Sequence, residues 1–363
     1  MGQKLAAALG PAGRQHDRVR HGPGTFRLGH GAGSAPLLAH ARQRPKIAVN
    51  VLGGTRTKFC LLDRGTVVAS ASCEAASRGS IRTHLDEVAG RLEKLLAARG
   101  LSFDGCGGIG ISSTGIVDSA RARVLTTNGK YDDAVGFDFA AWGRERAGLE
   151  VRIENDARAA LIGEWRYGAG RGRDDLFMVT LGTGIGTAAI MAGRPLIGPG
   201  FAGGNLGGHI IVRSGGRPCT CGAHGCLETE ASGWVLPTLI AEHPQLASSP
   251  LQSHAKPGFK EVMEYAETGD ACARGILDHC LRIWGEAIVS FVHLLGPARV
   301  IVGGGLMNNP APLLASFRET LRENGWGALK EVEIVAAENP DNAGIIGATA
   351  LFYGSEHNIS RTA

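Results

Sequence analysis

The sequence contains no run of about 18 or more apolar residues, so a membrane-spanning helix is not expected. Its first residues lack the continuous apolar core of a secretory signal. No Gly-Lys-Ser or Gly-Lys-Thr triplet is present, which excludes the helix-opening phosphate loop of P-loop nucleotidases. No Gly-x-Gly-x-x-Gly turn leads from a strand into a helix, and the dinucleotide fingerprint is missing with it. Acidic residues are scarce in the first 46 positions, where Asp17 stands against eight Lys and Arg. The overall charge of +4 therefore belongs to that tail, because the remainder holds 30 basic and 33 acidic residues, a net of −3. A nucleic-acid surface inferred from net charge alone fails for the folded part.

What is present describes an ordinary globular chain, 44% hydrophobic and 20% charged, long enough for two lobes. Residues 1–45 show no sustained period and read as a disordered basic extension or a start codon set too early, with a functional basic arm as the alternative. Five of the eight cysteines, Cys60, Cys73, Cys106, Cys272 and Cys280, stand singly in apolar surroundings and read as reduced, buried thiols of a cytoplasmic protein. The other three are tightly grouped.

From Lys46 onward strands and helices alternate, which argues an α/β fold with parallel or mixed sheets. Strands are expected at 47–52, 57–62, 66–72, 108–112 and 151–153. Leu85, Val88, Leu92, Leu95 and Leu96 fall on one helical face. A helix follows over 157–167, then strands at 177–181 and 187–191. The second half turns helical, with 271–295 the longest candidate, before strands at 299–302 and 331–336 and a helix over 343–353.

One device occurs twice: a buried strand, a glycine turn, and a strand. The first turn is Gly53-Gly54-Thr55 and the second Gly182-Thr183-Gly184-Ile185-Gly186. Glycine lets backbone N–H groups approach a phosphate closely, and two such hairpins facing each other could grip a nucleotide tail. A bare hairpin turn is the alternative for each. Gly303-Gly304-Gly305 after a late strand strengthens the phosphate reading.

Glu154-Asn155-Asp156 lies where a strand ends and a helix begins, the place α/β folds put ligands. Asp156 reads either as a helix N-cap or as a general base taking a proton from a hydroxyl that attacks a γ-phosphate, with Asn155 bonding neighbouring hydroxyls. Downstream, His209, Cys219, Cys221 and Cys226 offer three thiolates and one imidazole, the ligand set of a closed tetrahedral site. Four protein ligands leave no place for water, so zinc there is expected to be structural, ordering a loop with little core of its own. His224 is a competing imidazole ranked below His209. Glu228 and Glu230 follow, and the rigid loop would aim one of them at substrate.

These residues resemble the ROK family (repressors, open reading frames and sugar kinases) of the actin-like, hexokinase-type ATPases. The resemblance covers about 46–355. It rests on Leu52-Gly53-Gly54-Thr55, the run from Ser113 to Asp118, Asn155-Asp156, the run from Leu181 to Gly186, Gly208-His209, the Cys219–Glu228 signature and Val302-Gly303-Gly304-Gly305. It implies a two-lobed, ribonuclease H-like fold with a zinc loop. The first lobe would span 46–160, with the helix at 343–355 packed back on it, and the second 161–342. It also implies an ATP-dependent hexose kinase, glucose at O6 first, with N-acetylmannosamine, N-acetylglucosamine, fructose and allose as alternatives. ATP, Mg²⁺ and structural Zn²⁺ would be its cofactors, and a homodimer its assembly. By that pattern Asp156 is the base and Asn155, His209 and Glu228 contact sugar, with Gly115 and Asn128 as looser candidates. Gly53, Gly54, Thr55, Arg56, Gly182, Thr183, Gly184, Gly186, Gly303, Gly304 and Gly305 would hold the nucleotide. Two positions depart from the pattern: Val51, preceded by Asn50, stands where the family has Asp, and Leu206, flanked by Asn205 and Gly207-Gly208, where it has Glu. The first bears on Mg²⁺ and rate and the second on the choice of sugar. A weakened sugar sensor and a repressor are the competing functions, though residues 1–46 hold too much Gly and Pro for a helix-turn-helix.

Overall fold

The computed structural model describes residues 44–51, 56–75, 79–127, 129 and 131–353. The extension, Gly53, Gly54, Thr55 and Asn128 lie outside the described residues, apart from Arg44 and Pro45.

The chain folds into two five-stranded sheets built on one plan. In the first, β1 (Lys46–Val51) pairs antiparallel with β2 (Arg56–Asp63), and β2 with β3 (Thr66–Glu74). On the other side β1 pairs parallel with β4 (Ile109–Ser113), and β4 with β7 (Val151–Asn155). The order is β3-β2-β1-β4-β7. The second sheet repeats it as β10-β9-β8-β11-β12, from β8 (Leu176–Leu181), β9 (Ile185–Met191), β10 (Arg194–Pro195), β11 (Arg299–Gly303) and β12 (Glu333–Ala336). Each half thus begins with a hairpin whose turn lies at the end of the central strand. A small hairpin, β5 (Ile116–Asp118) and β6 (Arg123–Thr126), follows β4.

Helices cover the sheets. On the first, α1 (Ile81–Ala97) and α2 (Phe139–Ala147) bury Leu85, Val88, Leu92, Phe139 and Trp142 against Phe59, Leu61, Ile109 and Ile111. On the second, α6 (Phe259–Glu267), α7 (Ala271–Leu295) and α8 (Pro310–Asn324) pack Phe259, Trp284, Ile288 and Phe317 over Phe177, Val179 and Val300. Each large side chain buried this way contributes roughly 1.5–3 kcal/mol. Two short helices, α4 (Leu227–Ala231) and α5 (Leu236–Ala241), lead from the cysteine loop into that core.

The remaining faces meet two crossing helices, α3 (Asp156–Tyr167) and α9 (Ala343–Ala350). α3 presents Ala157, Ala160 and Leu161 to Leu176, Met178 and Ile190 of the second sheet. α9 turns back to the first sheet, where Ile345 and Ile346 join Cys60 and Leu62. Glycine makes the crossing close: a Cβ on Gly347 would lie 1.6 Å from the Ala159 carbonyl oxygen, and one on Gly163 2.4 Å from that of Ala343. Several boundaries differ from expectation, among them the strand after the second glycine turn, which starts at Ile185 rather than 187. The last strand starts at Glu333, because 327–331 form a 3-10 turn, and the last helix ends at Ala350, with 351–353 tightening to 3-10. The strand before the Glu154 triplet runs on through Asn155. The five single cysteines are all buried thiols. Among the described residues no helix is long and apolar enough to cross a membrane.

Candidate active site

The junction of β7 and α3 is built by its own side chains. Asn155, not Asp156, caps the helix, because its Oδ1 accepts from the Arg158 backbone N–H at 3.1 Å. Its Nδ2 donates to the Gly115 carbonyl at 2.9 Å. Gly115 has φ +86°, and a Cβ there would stand 2.0 Å from the Thr126 carbonyl oxygen, so only glycine lets that carbonyl reach Asn155. The N-cap reading of Asp156 is therefore corrected: the Asn155 amide fills that place, and Asp156 is the first helical residue.

The half-buried Asp156 carboxylate accepts from the Ala157 N–H at 2.8 Å. Its pKa is pushed up to about 6, first by desolvation; hydrogen bonds from backbone N–H groups and Asn155 oppose the rise, and the charge of Glu228 adds to it. The Glu228 carboxylate thus lies near enough for its charge to act on Asp156. Behind them lies a buried ion pair that the sequence reading missed. Arg158, fully buried, donates from Nη1 to Glu154 Oε1 at 2.7 Å and from Nη2 to the Phe201 carbonyl at 2.9 Å. Glu154 also accepts from the Asn155 N–H at 2.8 Å and from Ser119 Oγ at 2.7 Å. An acid at a strand end and a base in the first turn of the following helix read as surface, and nothing in the spacing announces their burial.

Glu228 enters from α4. Its Oε2 accepts from the Ile185 N–H at 2.8 Å, and it fits because Gly184 has no Cβ, which would lie 2.5 Å from that oxygen. Gly186 brings β9 against α3, since a Cβ there would stand 3.0 Å from Ala157 Cβ. Glu230, two residues on, is fully buried and turned away, accepting from the Arg217 N–H at 2.7 Å and paired with the Arg217 and Arg213 guanidiniums at 3.3 and 3.5 Å. Of the two acids after the cysteines, Glu228 is the one beside Asp156.

The ligand atoms of His209, Cys219, Cys221 and Cys226 lie within 4.8 Å of one another. His209 Nδ1 is 3.5 Å from Cys219 Sγ, and Cys221 Sγ is 3.6 Å from Cys226 Sγ. Four zinc–ligand bonds of about 2.0–2.3 Å in a tetrahedron give edges close to these, so the residues fit the ion. Burial pushes the Cys226 thiol up to about 12, the neighbouring Cys221 and Cys219 add to the rise, and zinc would reverse it by holding the thiolates. His224 is exposed and stands outside the group.

Gly182, Thr183 and Gly305 line a cavity of about 890 Å³ whose apolar wall is Leu236, Phe259, Met263 and Leu306, with Lys260 and Glu264 beside them. Gly304 (φ +89°) lies against the Leu181 carbonyl, where a Cβ would be 2.2 Å away. Gly303 belongs to β11, faces Met178 and does not line this cavity. Arg56 is exposed and donates to Ser72 Oγ of β3 from Nη2 at 2.7 Å. Leu206 is 46% exposed.

The pattern of the ROK family matches residues 47–355. The chain belongs to the ROK family. It is 31% identical over 249 residues to the glucokinase of Thermotoga maritima, covering 67% of this chain and 78% of that one. The crystal structure of a ROK glucokinase from Streptomyces griseus with glucose and AMPPNP superposes with a TM-score of 0.70 at 28% identity, over 85% of this chain and 98% of that one. The family is not confined to kinases, for the xylose repressor of Bacillus subtilis is 25% identical over 245 residues, 67% of this chain and 60% of the repressor.

Proposed function

We propose that this ROK protein is an ATP-dependent hexose kinase that phosphorylates glucose at O6. The observation that carries the reading is the Asp156 carboxylate, raised to about 6 and set where β9 with its phosphate-type turn meets α3. A base of that pKa is largely ionised at neutral pH yet still takes up a proton readily. The sugar O6–H gives its proton to Asp156 as the oxygen attacks the γ-phosphorus, and the bond to the bridging oxygen breaks to leave ADP. Phosphoryl transfer asks mainly for positioning and charge neutralisation. Asn155, fixed by Gly115 and Arg158, orients the acceptor, and Glu228 with His209 completes the sugar side. The cavity beside Gly182, Thr183 and Gly305 takes the nucleoside; its apolar wall suits a base better than a bare polyphosphate. Resemblance to a kinase crystallised with AMPPNP supports the same donor. Position 51 is valine, so β1 supplies no carboxylate there to Mg²⁺, and more of the phosphate charge falls to the main-chain amides. Zinc, when bound, holds the Cys219–Cys226 loop in one conformation and so fixes where His209 and Glu228 stand.

The test is ADP release over a panel of hexoses with ATP or polyphosphate as donor, and Asp156→Asn as control. Turnover on no sugar with either donor would count against the proposal. Valine at position 51 favours one second reading, a sugar sensor with little turnover. There calorimetry would show sugar binding without phosphorylation, and Val51→Asp would raise the rate.

A further inference from the structure

Of the eight cysteines, Cys221 alone is exposed; the other seven are buried. It is also one of the four residues that fit a zinc ion, so that ligand set turns one sulfur to solvent and keeps the others inside. Its Sγ stands 3.6 Å from that of Cys226, and Cys219 Sγ lies 3.5 Å from His209 Nδ1. A disulfide bond is about 2.05 Å long, so Cys221 and Cys226 need to close by only about 1.5 Å. The two are not held alike. Around Cys226 the backbone is pinned: the Leu227 N–H donates to the Ile210 carbonyl at 2.9 Å, and the Gly225 carbonyl accepts from the Val212 and Arg213 N–H groups at 2.9 and 3.2 Å. Gly225 packs so closely that a Cβ there would lie 1.7 Å from the Arg213 carbonyl oxygen. Cys221 sits at the loop tip, where Gly222 is exposed at φ +92° and has nothing within 4 Å of the place a Cβ would take. The anchored sulfur stays, and the exposed one has room to reach it.

We propose that Cys221 is an oxidation site, and that hydrogen peroxide joins it to Cys226 in a disulfide that expels zinc from the loop. The Cys221 thiolate attacks one peroxide oxygen and the O–O bond breaks. The departing hydroxide takes up a proton and leaves as water, and Cys221 is then a sulfenic acid. The Cys226 thiolate attacks that sulfur, the S–S bond forms, and the S–OH bond breaks to release a second hydroxide, which also leaves as water. Each sulfur gives up one electron, the peroxide takes both, and two protons are consumed. Cys219 and His209 are then the only ligands left, too few for a closed tetrahedral site. A dithiol reverses the change by thiol–disulfide exchange. The five single cysteines stay out of this chemistry because they are buried. Cys226 directly precedes α4, which carries Glu228, so the state of the pair reaches the candidate active site. Which reaction the protein catalyses does not enter the chemistry of the two thiols.

The experiment treats the full-length, zinc-loaded protein with hydrogen peroxide at neutral pH and follows zinc release with a chromogenic chelator. Free thiols are then alkylated, and the peptides are mapped by mass spectrometry. Zinc release should keep pace with the loss of two thiols. The peptide carrying Cys219, Cys221 and Cys226 should be lighter by two hydrogens and should take the alkyl label on Cys219 alone. Dithiothreitol with added zinc should restore both thiols and the ion. The proposal is overturned by a bridge from Cys219 to either neighbour, by a sulfinic or sulfonic Cys221 without a bridge, or by a buried cysteine reacting before Cys221. A bridge formed with zinc retained, or a chain that takes up no zinc, overturns it as well. Cys221→Ser should slow peroxide oxidation of the remaining ligand thiols by about tenfold or more; an unchanged rate places the point of attack elsewhere and refutes the assignment. If that variant folds poorly, the wild-type peptide map decides alone.

Discussion

Replacing Asp156 by asparagine should make the protein more stable and nearly inactive, and both effects should follow pH. The side chain keeps its shape and can still accept from the Ala157 N–H, so the change removes charge and little else. The carboxyl pKa is 3.8 in the unfolded chain and about 6 in the folded one. Because it is raised, the native state holds the proton longer than the unfolded state. Stability is therefore fully present below pH 3.8 and is lost as pH rises through about 6, above which the charged form is carried at a cost. Two pKa units correspond to about 3 kcal/mol, an upper bound because the group is half-buried and partly screened. The Asn variant escapes that cost. At pH 7.5 its Tm should be higher by roughly 3–6 °C, and the advantage should shrink towards nothing near pH 4. Over the same range wild-type kcat/KM should show an acid limb near pH 6, and the variant should lose about 10²–10⁴ in rate. Thermal scans from pH 4 to 8 beside a pH–rate profile test both. A Tm difference that does not change with pH, or wild-type activity flat between pH 5 and 7, would refute the assignment of a desolvated base.

Other perturbations probe the scaffold. Zinc should be found at one ion per chain by elemental analysis; Cys226→Ser or a strong chelator should abolish it and lower sugar affinity more than ATP affinity, because the proposed function puts His209 and Glu228 on the sugar side. Arg158→Met should cost about 3–5 kcal/mol in denaturant melts by leaving Glu154 charged and unpaired, and adding Glu154→Gln should recover much of it. Gly347→Val places side-chain atoms where a Cβ alone would already be 1.6 Å from the Ala159 carbonyl oxygen, so soluble expression should collapse, whereas Gly90→Ala, with open space around it, should be silent.

Much of this was legible in the residues, and the reasons it was or was not are physical. The helix over 271–295 was read at its true bounds because a long apolar pattern ends in strong punctuation, an Asp270 cap and Gly296 at φ +55°. The repeated strand–glycine–strand device was visible because buried strands leave continuous apolar runs. The β5–β6 hairpin is too short to show a period, and α2 carries Gly143, whose place is set by Val151: a Cβ would be 2.2 Å from its Cγ2. Asn155 and Asp156 are both good caps, and sequence cannot choose between neighbours; the Arg158 N–H does. Likewise only burial beside Arg217 separates Glu230 from Glu228. Asn205 stood out only as a neighbour of the Leu206 departure, since a polar residue among glycines looks like solvated loop until its enclosure is seen.

The order of synthesis adds a constraint of its own. α9 leaves the ribosome after both sheets have been made, yet the hydrophobic strip it covers, Cys60 and Leu62, belongs to a strand made near the beginning. Until those last turns emerge, the early half carries an uncovered apolar face through most of translation, a span in which exposed surface invites aggregation. A nonsense mutation only a dozen codons before Ala350 would thus strike the opening sheet harder than the segment it deletes. The early strand and the late helix share one apolar cluster, so the first sheet is covered only once α9 has been made.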